Sequence, residues 1–409
     1  MKFFKKPIFT GFAPNMTRQD IKIACGFLFL PWNWKRLKEG PNAKKVENWF
    51  KKYFKCKRVY TFDSGRSSLF YALKALGVSE GDEVLVQGYT CVVVSNAILW
   101  VGATPVYVDI EDDLNMSPED LETKITDKSK VLIIQHTFGL PAKLGELMKI
   151  ARKHNLKVIE DCAHSLGAKY KEKLTGTFGD LAFFSFGSDK VVSSVRGGCV
   201  ITNNDELGDK LEKYRSRLPH ADMLKIFQHL WYYPIFAIAK PLYNFGIGKL
   251  IFFIVRKLHI TASIIYPQEK KCKQIIFYPS LYSNALATIL LNQLKKLDKS
   301  NMRREIIADG YIKSAQWKRD YQRSQDGRVW LYFTVFINKP LRVAEEMKKH
   351  GFIVGTDWTG SVIVPRGVSL DLAGYRMGSC PNAERLSNRI LNLPTNRLIN
   401  KRNGKIDYV

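Results

Sequence analysis

The sequence predicts an α/β protein built on a mostly parallel seven-stranded sheet between helices, followed by a smaller α+β region. Three observations lead there. Between about Arg58 and Asn204, short β-rich runs alternate with helical stretches, the order that builds parallel sheets through crossover helices. Several of those runs are apolar without alternating, as strands covered on both faces are. The 409 residues, 45% hydrophobic and 25% charged, have the make-up of a globular protein too long for one small core.

In chain order, RVYTF is a strand and GRSSLFYALKAL its helix. DEVLVQ then precedes CVVVSNAILWVG, PVYVDI precedes SPEDLETKI, and KVLIIQHTF precedes KLGELMKIARKHN; KVIED, DLAFFSFG and GCVITN complete the set. Gly77 and Gly81-Asp82 punctuate helix ends and strand starts. Residues 1–44 form an N-terminal arm and 45–222 the large domain. Residues 223–278 are a hydrophobic helical insertion, rich in Trp, Tyr, Phe and Ile and broken by Pro234, Pro241, Gly246 and Gly248. From 279 to 409 a single helix-like segment, SNALATILLNQLKKLDKSNMRREII, leads into a small C-terminal domain with WLYFTVFI as a strand, EEMKKHG as a helix and a final RLSNRILNLP element.

A formal net charge of +26 points to a partner bearing phosphates or to an anionic membrane surface. Nucleic acid is not expected: there is no zinc-finger spacing, no RNA-recognition signature and no basic heptad segment. The seven cysteines form no CxxC pair, which fits a reducing cytoplasm. Gly11 and Pro14 break the apolar stretch of the N-terminus, so no signal peptide is read.

In open α/β sheets ligands sit at the carboxyl ends of strands, and four places there carry polar residues. Ser64-Gly65-Arg66-Ser67-Ser68 follows RVYTF at a helix start, where free N–H groups and the helix dipole suit a phosphate; Ser64 as a plain N-cap explains it equally. Asp161 ends KVIED and suits a protonated heterocyclic nitrogen, a cap or a magnesium ion. His164, three residues on, is also readable as a histidine satisfied by backbone. In FFSFGSDKVVSSVRGG, Ser185 follows an apolar strand and Lys190 lies five residues later. Surface charge explains a lone lysine, but an amine, a carboxylate and a phosphate-cradling turn at three strand ends form a chemical set.

The combination SGRSSLFYALKALGVSEGDEVLV, GATPVYVDI, KVIEDCAHSLGA, FFSFGSDK and GGCVITNNDEL closely resembles the DegT/StrS family of sugar aminotransferases, pyridoxal-phosphate enzymes of fold type I. The match runs from about Lys45 to Leu207 and resumes at QLKKLD and CPNAERLSNRILNLP. The resemblance implies pyridoxal 5'-phosphate carried on Lys190 as a Schiff base, with Lys190 then moving the substrate proton and Asp161 paired with the pyridine nitrogen. It implies that Ser185 and the Gly65-Arg66 backbone hold the phosphate, that His164 replaces a family glutamine near the ring hydroxyl, and that His136 lies beside the substrate. The implied reaction passes an amino group, from a donor such as glutamate, to a nucleotide-linked keto-sugar for polysaccharide or glycan synthesis, in a homodimer.

Three departures stand out. Cys91 occupies the place of the aromatic ring that stacks on the cofactor, with Tyr89 nearby as a compensating ring. Pro279-Ser280-Leu281-Tyr282 replaces the Asn-Tyr-Arg-Met segment that reaches a neighbouring subunit's phosphate, leaving Arg66 or Ser67 as substitutes. A histidine at 164 introduces a group that titrates near neutral pH. A branch of the family that lacks the lysine dehydrates sugars, and Lys190 argues against it. The rival readings are a pyridoxal-phosphate lyase or dehydratase and a non-catalytic membrane-bound relative.

Within the insertion, IFQHLWYYPIFAIA and LIFFIV are too short to span a bilayer but are flanked by Lys240, Lys249, Arg256 and Lys257. They suit attachment of residues 224–260 to the cytoplasmic face of a membrane; a buried helical hairpin or a dimer surface is the alternative.

Overall fold

The computed structural model describes residues 7–10, 16–314, 321–323 and 327–396. Its centre is a seven-stranded sheet of β1 (Arg58–Phe62), β2 (Glu83–Gln87), β3 (Thr104–Val108), β4 (Ser129–Gln135), β5 (Lys157–Asp161), β6 (Leu181–Ser185) and β7 (Gly198–Thr202), in the order β1-β7-β6-β5-β4-β2-β3. Only β7 runs antiparallel to its neighbours, β1 and β6. The other adjacent strands pair in parallel.

The apolar strands divide their side chains between two cores. In β4, Val131 and Ile133 enter one core and Leu132 and Ile134 the other, and in β2 Val84 and Val86 face away from Leu85. This is the two-residue period of a strand buried on both faces. Each such side chain, fully withdrawn from water, contributes roughly 1.5–3 kcal/mol. One face is covered by α2 (Asn42–Phe54), α3 (Gly65–Ala75) and α4 (Val92–Trp100), which supply Phe50, Leu69 and Ile98. The other is covered by α5 (Pro118–Lys124) and α6 (Leu144–Lys153), through Leu121, Leu144 and Leu147. Helix α7 (Asp205–Arg215) follows β7 and is capped by Asn204.

The N-terminal helix α1 (Arg18–Phe29) opens with a Thr17–Asp20 capping box. The same Asp20 carboxylate accepts hydrogen bonds of 2.6 Å each from Asn292 and Gln293, tying the arm to the large domain. The insertion holds three helices, α8 (Met223–Leu230), α9 (Tyr232–Ala239) and α10 (Ile247–Lys257). Pro234 lies in the first turn of α9, where its missing N–H costs no intrahelical bond. Ile226, Leu230 and Tyr233 enter the main core, so the insertion is part of the folded body.

The single helix expected after residue 283 is two, α11 (Asn284–Leu294) and α12 (Leu297–Ile312). Lys296 leaves helical geometry at φ −117°, ψ 8°, and the turn redirects the chain from the large domain, where α11 is buried, to the small one. There β8 (Tyr332–Phe336) pairs antiparallel with β9 (Ile390–Pro394). Tyr311 of α12 and Met347 of α13 (Pro340–Lys349) pack with Phe333, Val335, Leu391 and Leu393. No helix among the described residues is long and apolar enough to cross a membrane.

Candidate active site

The carboxyl ends of β1, β5 and β6 bring together the residues singled out in the sequence. After β1 the chain turns through Asp63 into Ser64, which caps α3: its hydroxyl accepts from Ser67 N–H at 3.3 Å. Gly65 and Arg66, in the first turn, have no intrahelical acceptor for their N–H groups. Ser185 closes the opposite side. A Cβ on Gly65 would stand 2.8 Å from Ser185 Cβ, so only glycine permits this approach. The result is a cradle of backbone N–H and hydroxyl groups at a helix N-terminus, suited to a phosphate.

Asp161 ends β5 and is 4% exposed. Its Oδ1 accepts from Ala163 N–H at 2.9 Å. Burial raises its pKa to about 6, against the lowering effects of the Ala163 hydrogen bond, Lys190 and His136. A desolvated carboxyl of this kind is stabilised as the anion when a cation is placed against it.

Lys190 lies on the connection between β6 and β7, its N–H bonded to Gly187 O at 3.2 Å. Its Nζ is 3.0 Å from His164 Nε2 and 3.6 Å from Asp189. His164 Nδ1 accepts from Phe138 N–H at 3.3 Å, which places the proton of the neutral ring on Nε2, facing the lysine amine. Burial, and secondarily Lys190, hold the imidazole pKa well below its usual value. The titration near neutral pH expected of His164 is therefore corrected: withdrawn from water and placed against the Lys190 amine, the ring stays neutral.

Other expectations also change. His136 is fully buried; Nδ1 accepts from Ala142 N–H at 3.1 Å and Nε2 meets Glu160 at 3.2 Å. Both nitrogens are committed inside the protein, which leaves neither for a substrate. Tyr89 does not stand in as a stacking ring: it is fully buried, donates to Trp358 O at 2.5 Å, and packs edge-on against Trp358 and Phe138. Cys91 is half-buried, pairs along the backbone with Val364, and has its thiol pKa raised by burial. Neither side chain expected to replace the cross-subunit contact is free. Arg66 donates to Ile264 O at 2.9 Å and ion-pairs with buried Glu269, and Ser67 Oγ bonds Ser64 Oγ at 2.9 Å. Burial, then the nearby Arg196, lower the Arg66 pKa to about 10.

Three residues had escaped the sequence reading. Phe138 stacks on His164 with centroids 5.6 Å apart and planes at 17°, and Trp358 of the C-terminal region meets His164 edge-on at 5.0 Å. Arg196, 6% exposed, shares the Ile264 carbonyl at 3.3 Å and lies 4.2 Å over the Tyr278 ring. Phe138 has a positive φ of 54°, a strain invisible in sequence; Trp358 belongs to no motif; Arg196 had a signal, its place beside Gly197-Gly198.

A family model described as the DegT/DnrJ/EryC1/StrS aminotransferase family matches residues 31–224 and 267–407. The chain belongs to this family. The unmatched stretch between the two segments contains α9 and α10. Among curated DegT/DnrJ/EryC1/StrS-like proteins, the GDP-perosamine synthase of Escherichia coli O157:H7 is 40% identical over 180 residues, 44% of this chain and 50% of that protein. The spore coat polysaccharide biosynthesis protein SpsC of Bacillus subtilis (strain 168) is 35% identical over 199 residues, 48% of this chain and 50% of SpsC. These alignments span about half the length of the relatives. The solved E. coli GDP-4-keto-6-deoxy-D-mannose-3-dehydratase with bound hydrated PLP superposes with a TM-score of 0.70 at 20% identity, covering 96% of this chain and 95% of that one; at that identity the likeness shows the fold.

Pyridoxal phosphate fits the residues present. The cradle that a Cβ at Gly65 would close suits the phosphate, the buried carboxyl of Asp161 suits the pyridinium nitrogen, and Lys190, held against His164, offers a primary amine.

Proposed function

We propose that this chain is a pyridoxal-phosphate-dependent aminotransferase that moves an amino group, from a donor such as glutamate, onto a nucleotide-linked keto-sugar for polysaccharide or glycan synthesis, as a homodimer. The observation that carries it is the convergence of the Lys190 amine, the buried Asp161 carboxyl and the Gly65–Ser185 cradle at three strand ends of one sheet. When bound, the cofactor supplies an electron sink for the carbon that loses its proton.

The rest is done by the chain. Lys190 Nζ is the base that would take the proton from the substrate carbon and pass it on to a different carbon, as amino transfer requires. His164 Nε2–H orients that nitrogen, and the stack of His164 on Phe138 fixes the imidazole plane. Asp161 holds the positive charge at the far end of the site, and Phe138 and Trp358 exclude water around His164. The names of the curated relatives support a nucleotide-sugar acceptor. Borohydride treatment of the purified protein followed by peptide mapping should place the added cofactor mass on Lys190; mass on another lysine would overturn the assignment. Glutamate should abolish the visible absorbance in a single half-reaction, whereas a lyase or dehydratase would not need an amino donor.

The enzyme works at a membrane surface through residues 224–260. That reading is supported by the apolar side chains that α10 leaves in solvent, among them Leu250 and Phe253. Vesicle co-sedimentation of the intact enzyme tests it.

A further inference from the structure

Exposed large apolar residues are not spread evenly over this protein. Of the twenty such residues on the described surface, thirteen fall in two short stretches: Phe29, Leu30, Trp32 and Trp34 in the arm, and nine between Met223 and Leu258 in the insertion. The two stretches touch. Phe29 packs edge-on against Trp231 at 5.5 Å, and Trp34 against Phe227 at 5.7 Å. Phe236 of α9 in turn meets Phe252 of α10 at 5.8 Å. The turn after α1, then α8, α9 and α10, therefore make one continuous helical layer, whose inner side enters the core through Ile226, Leu230 and Tyr233.

The charge of this layer is one-sided. From Ile21 to Lys38 and from Met223 to Gln268 the sequence has nine lysines and arginines and no aspartate or glutamate. On α10, Ile247, Leu250, Phe253 and Ile254 are exposed, as is Leu258 at its C-terminal cap, while Lys249, Arg256 and Lys257 belong to the same helix. Two copies meeting through this layer would bring like charges together at an apolar contact, which costs affinity. A partner with an apolar interior and an anionic rim meets both demands, and a bilayer containing anionic lipid has that chemistry.

We infer that the arm and the insertion form one composite docking face for an anionic membrane surface, with Trp32 and Trp34 as headgroup-level anchors and α10 lying in the interface. The inference rests on the reading of this protein as peripheral to a membrane and adds a second element, a lipid class and an arrangement. Tryptophan is suited to the headgroup region because its ring is apolar and its N–H polar. Trp34 Nε1 already donates to Phe27 O at 3.0 Å, so its rigid ring can enter without an unpaired donor, and Trp32, at 69% exposure, is the more accessible.

The test uses full-length protein loaded with pyridoxal phosphate and vesicles of phosphatidylcholine, alone or mixed with phosphatidylglycerol. The proteins are wild type, Trp32→Ser/Trp34→Ser, Leu250→Ser/Phe253→Ser and Lys249→Glu/Arg256→Glu/Lys257→Glu. Wild type should co-sediment with the mixed vesicles only and be released by salt. Either apolar double variant should bind at least tenfold more weakly, and the charge variant roughly a hundredfold, at about fivefold per lost cation. Because the substituted side chains are on the surface, visible absorbance and the glutamate half-reaction should stay at the wild-type level in every variant. Equal binding of wild type to neutral vesicles would overturn the lipid class. Wild-type binding by the tryptophan variant, with loss in the α10 variant, would overturn the composite face while leaving membrane attachment standing. If no protein binds either vesicle, both fall; if the variants instead lose self-association in light scattering, the face is a subunit contact.

Discussion

Asp161 illustrates how a site residue can be strained until its ligand arrives. Its carboxyl carries a pKa of about 6 in the folded chain against 3.8 in its absence, chiefly through burial. For a raised pKa the folded state holds the proton more tightly, so the stabilising effect is complete below about pH 3.8 and is lost as pH rises through about 6. The loss amounts to roughly 3 kcal/mol. Cofactor-free Asp161→Asn should therefore equal wild type in urea unfolding at acid pH and exceed it by roughly 2–3 kcal/mol above neutrality; parallel pH curves would sink this account. His164 gives the opposite expectation. Since burial holds its ring neutral, His164→Gln should slow the half-reaction roughly tenfold, about the worth of one hydrogen bond, without changing the shape of the pH profile across neutrality. The positions of Lys190, Asp161 and Ser185 were legible because each follows an apolar run at a strand end. Trp358 was not, because only the tertiary fold carries it to His164, and neither was the commitment of His136 to Glu160, which depends on atoms brought together across β4 and β5.

At the scale of elements, the β1–α3 turn and the end of β6 are built as one device. Gly65→Ala would drive a methyl group into Ser185, costing about 1–3 kcal/mol of stability by overpacking. It should also weaken pyridoxal phosphate at least tenfold while changing pyridoxal little, measured by absorbance titration of the two compounds; equal losses for both would mean that the cradle does not serve the phosphate. Behind the site, Glu160 accepts N–H bonds from Gly176, Phe178 and Gly179 at 2.6–2.9 Å. Glu160→Ala leaves one buried and two half-buried donors unpaired, so thermal or urea unfolding should report a loss of about 2–3 kcal/mol. The strands were readable from sequence to within a few residues, as VLIIQ and AFFS are apolar on both faces. The break between α11 and α12 was not, because LNQLKKLDKSN contains neither proline nor glycine and the helix ends where its packing partner changes.

For the whole molecule, the insertion is tied to the core at several points. Ile264 O accepts from both Arg66 and Arg196, Glu269 is buried against Arg66, and the Glu269 carbonyl accepts from Asn96 at 3.0 Å. Removing residues 224–260 should strip the cover from these groups and yield insoluble protein, measured as recovery in the supernatant; a soluble, cofactor-binding deletion product would show the insertion to be a separable module. Composition announced an unusual segment but not this attachment, since buried arginines look in sequence like any other contribution to +26.

Ser185 and Gly198 face each other in the β6–β7 ladder, and the chain between them carries Lys190. That chain is a closed ring hung from one rung of the sheet, with both its ends on the same rigid support. The reactive amine is in effect a fixed post. Trp358 is mounted elsewhere, on the C-terminal part of the chain, with its own carbonyl roped to Tyr89. Tyr89 belongs to the same large domain as the sheet, and Ile363 and Val364 pair with Thr90 and Cys91 beside it, so post and roof are moored to one support and the gap between them is set by the fold itself.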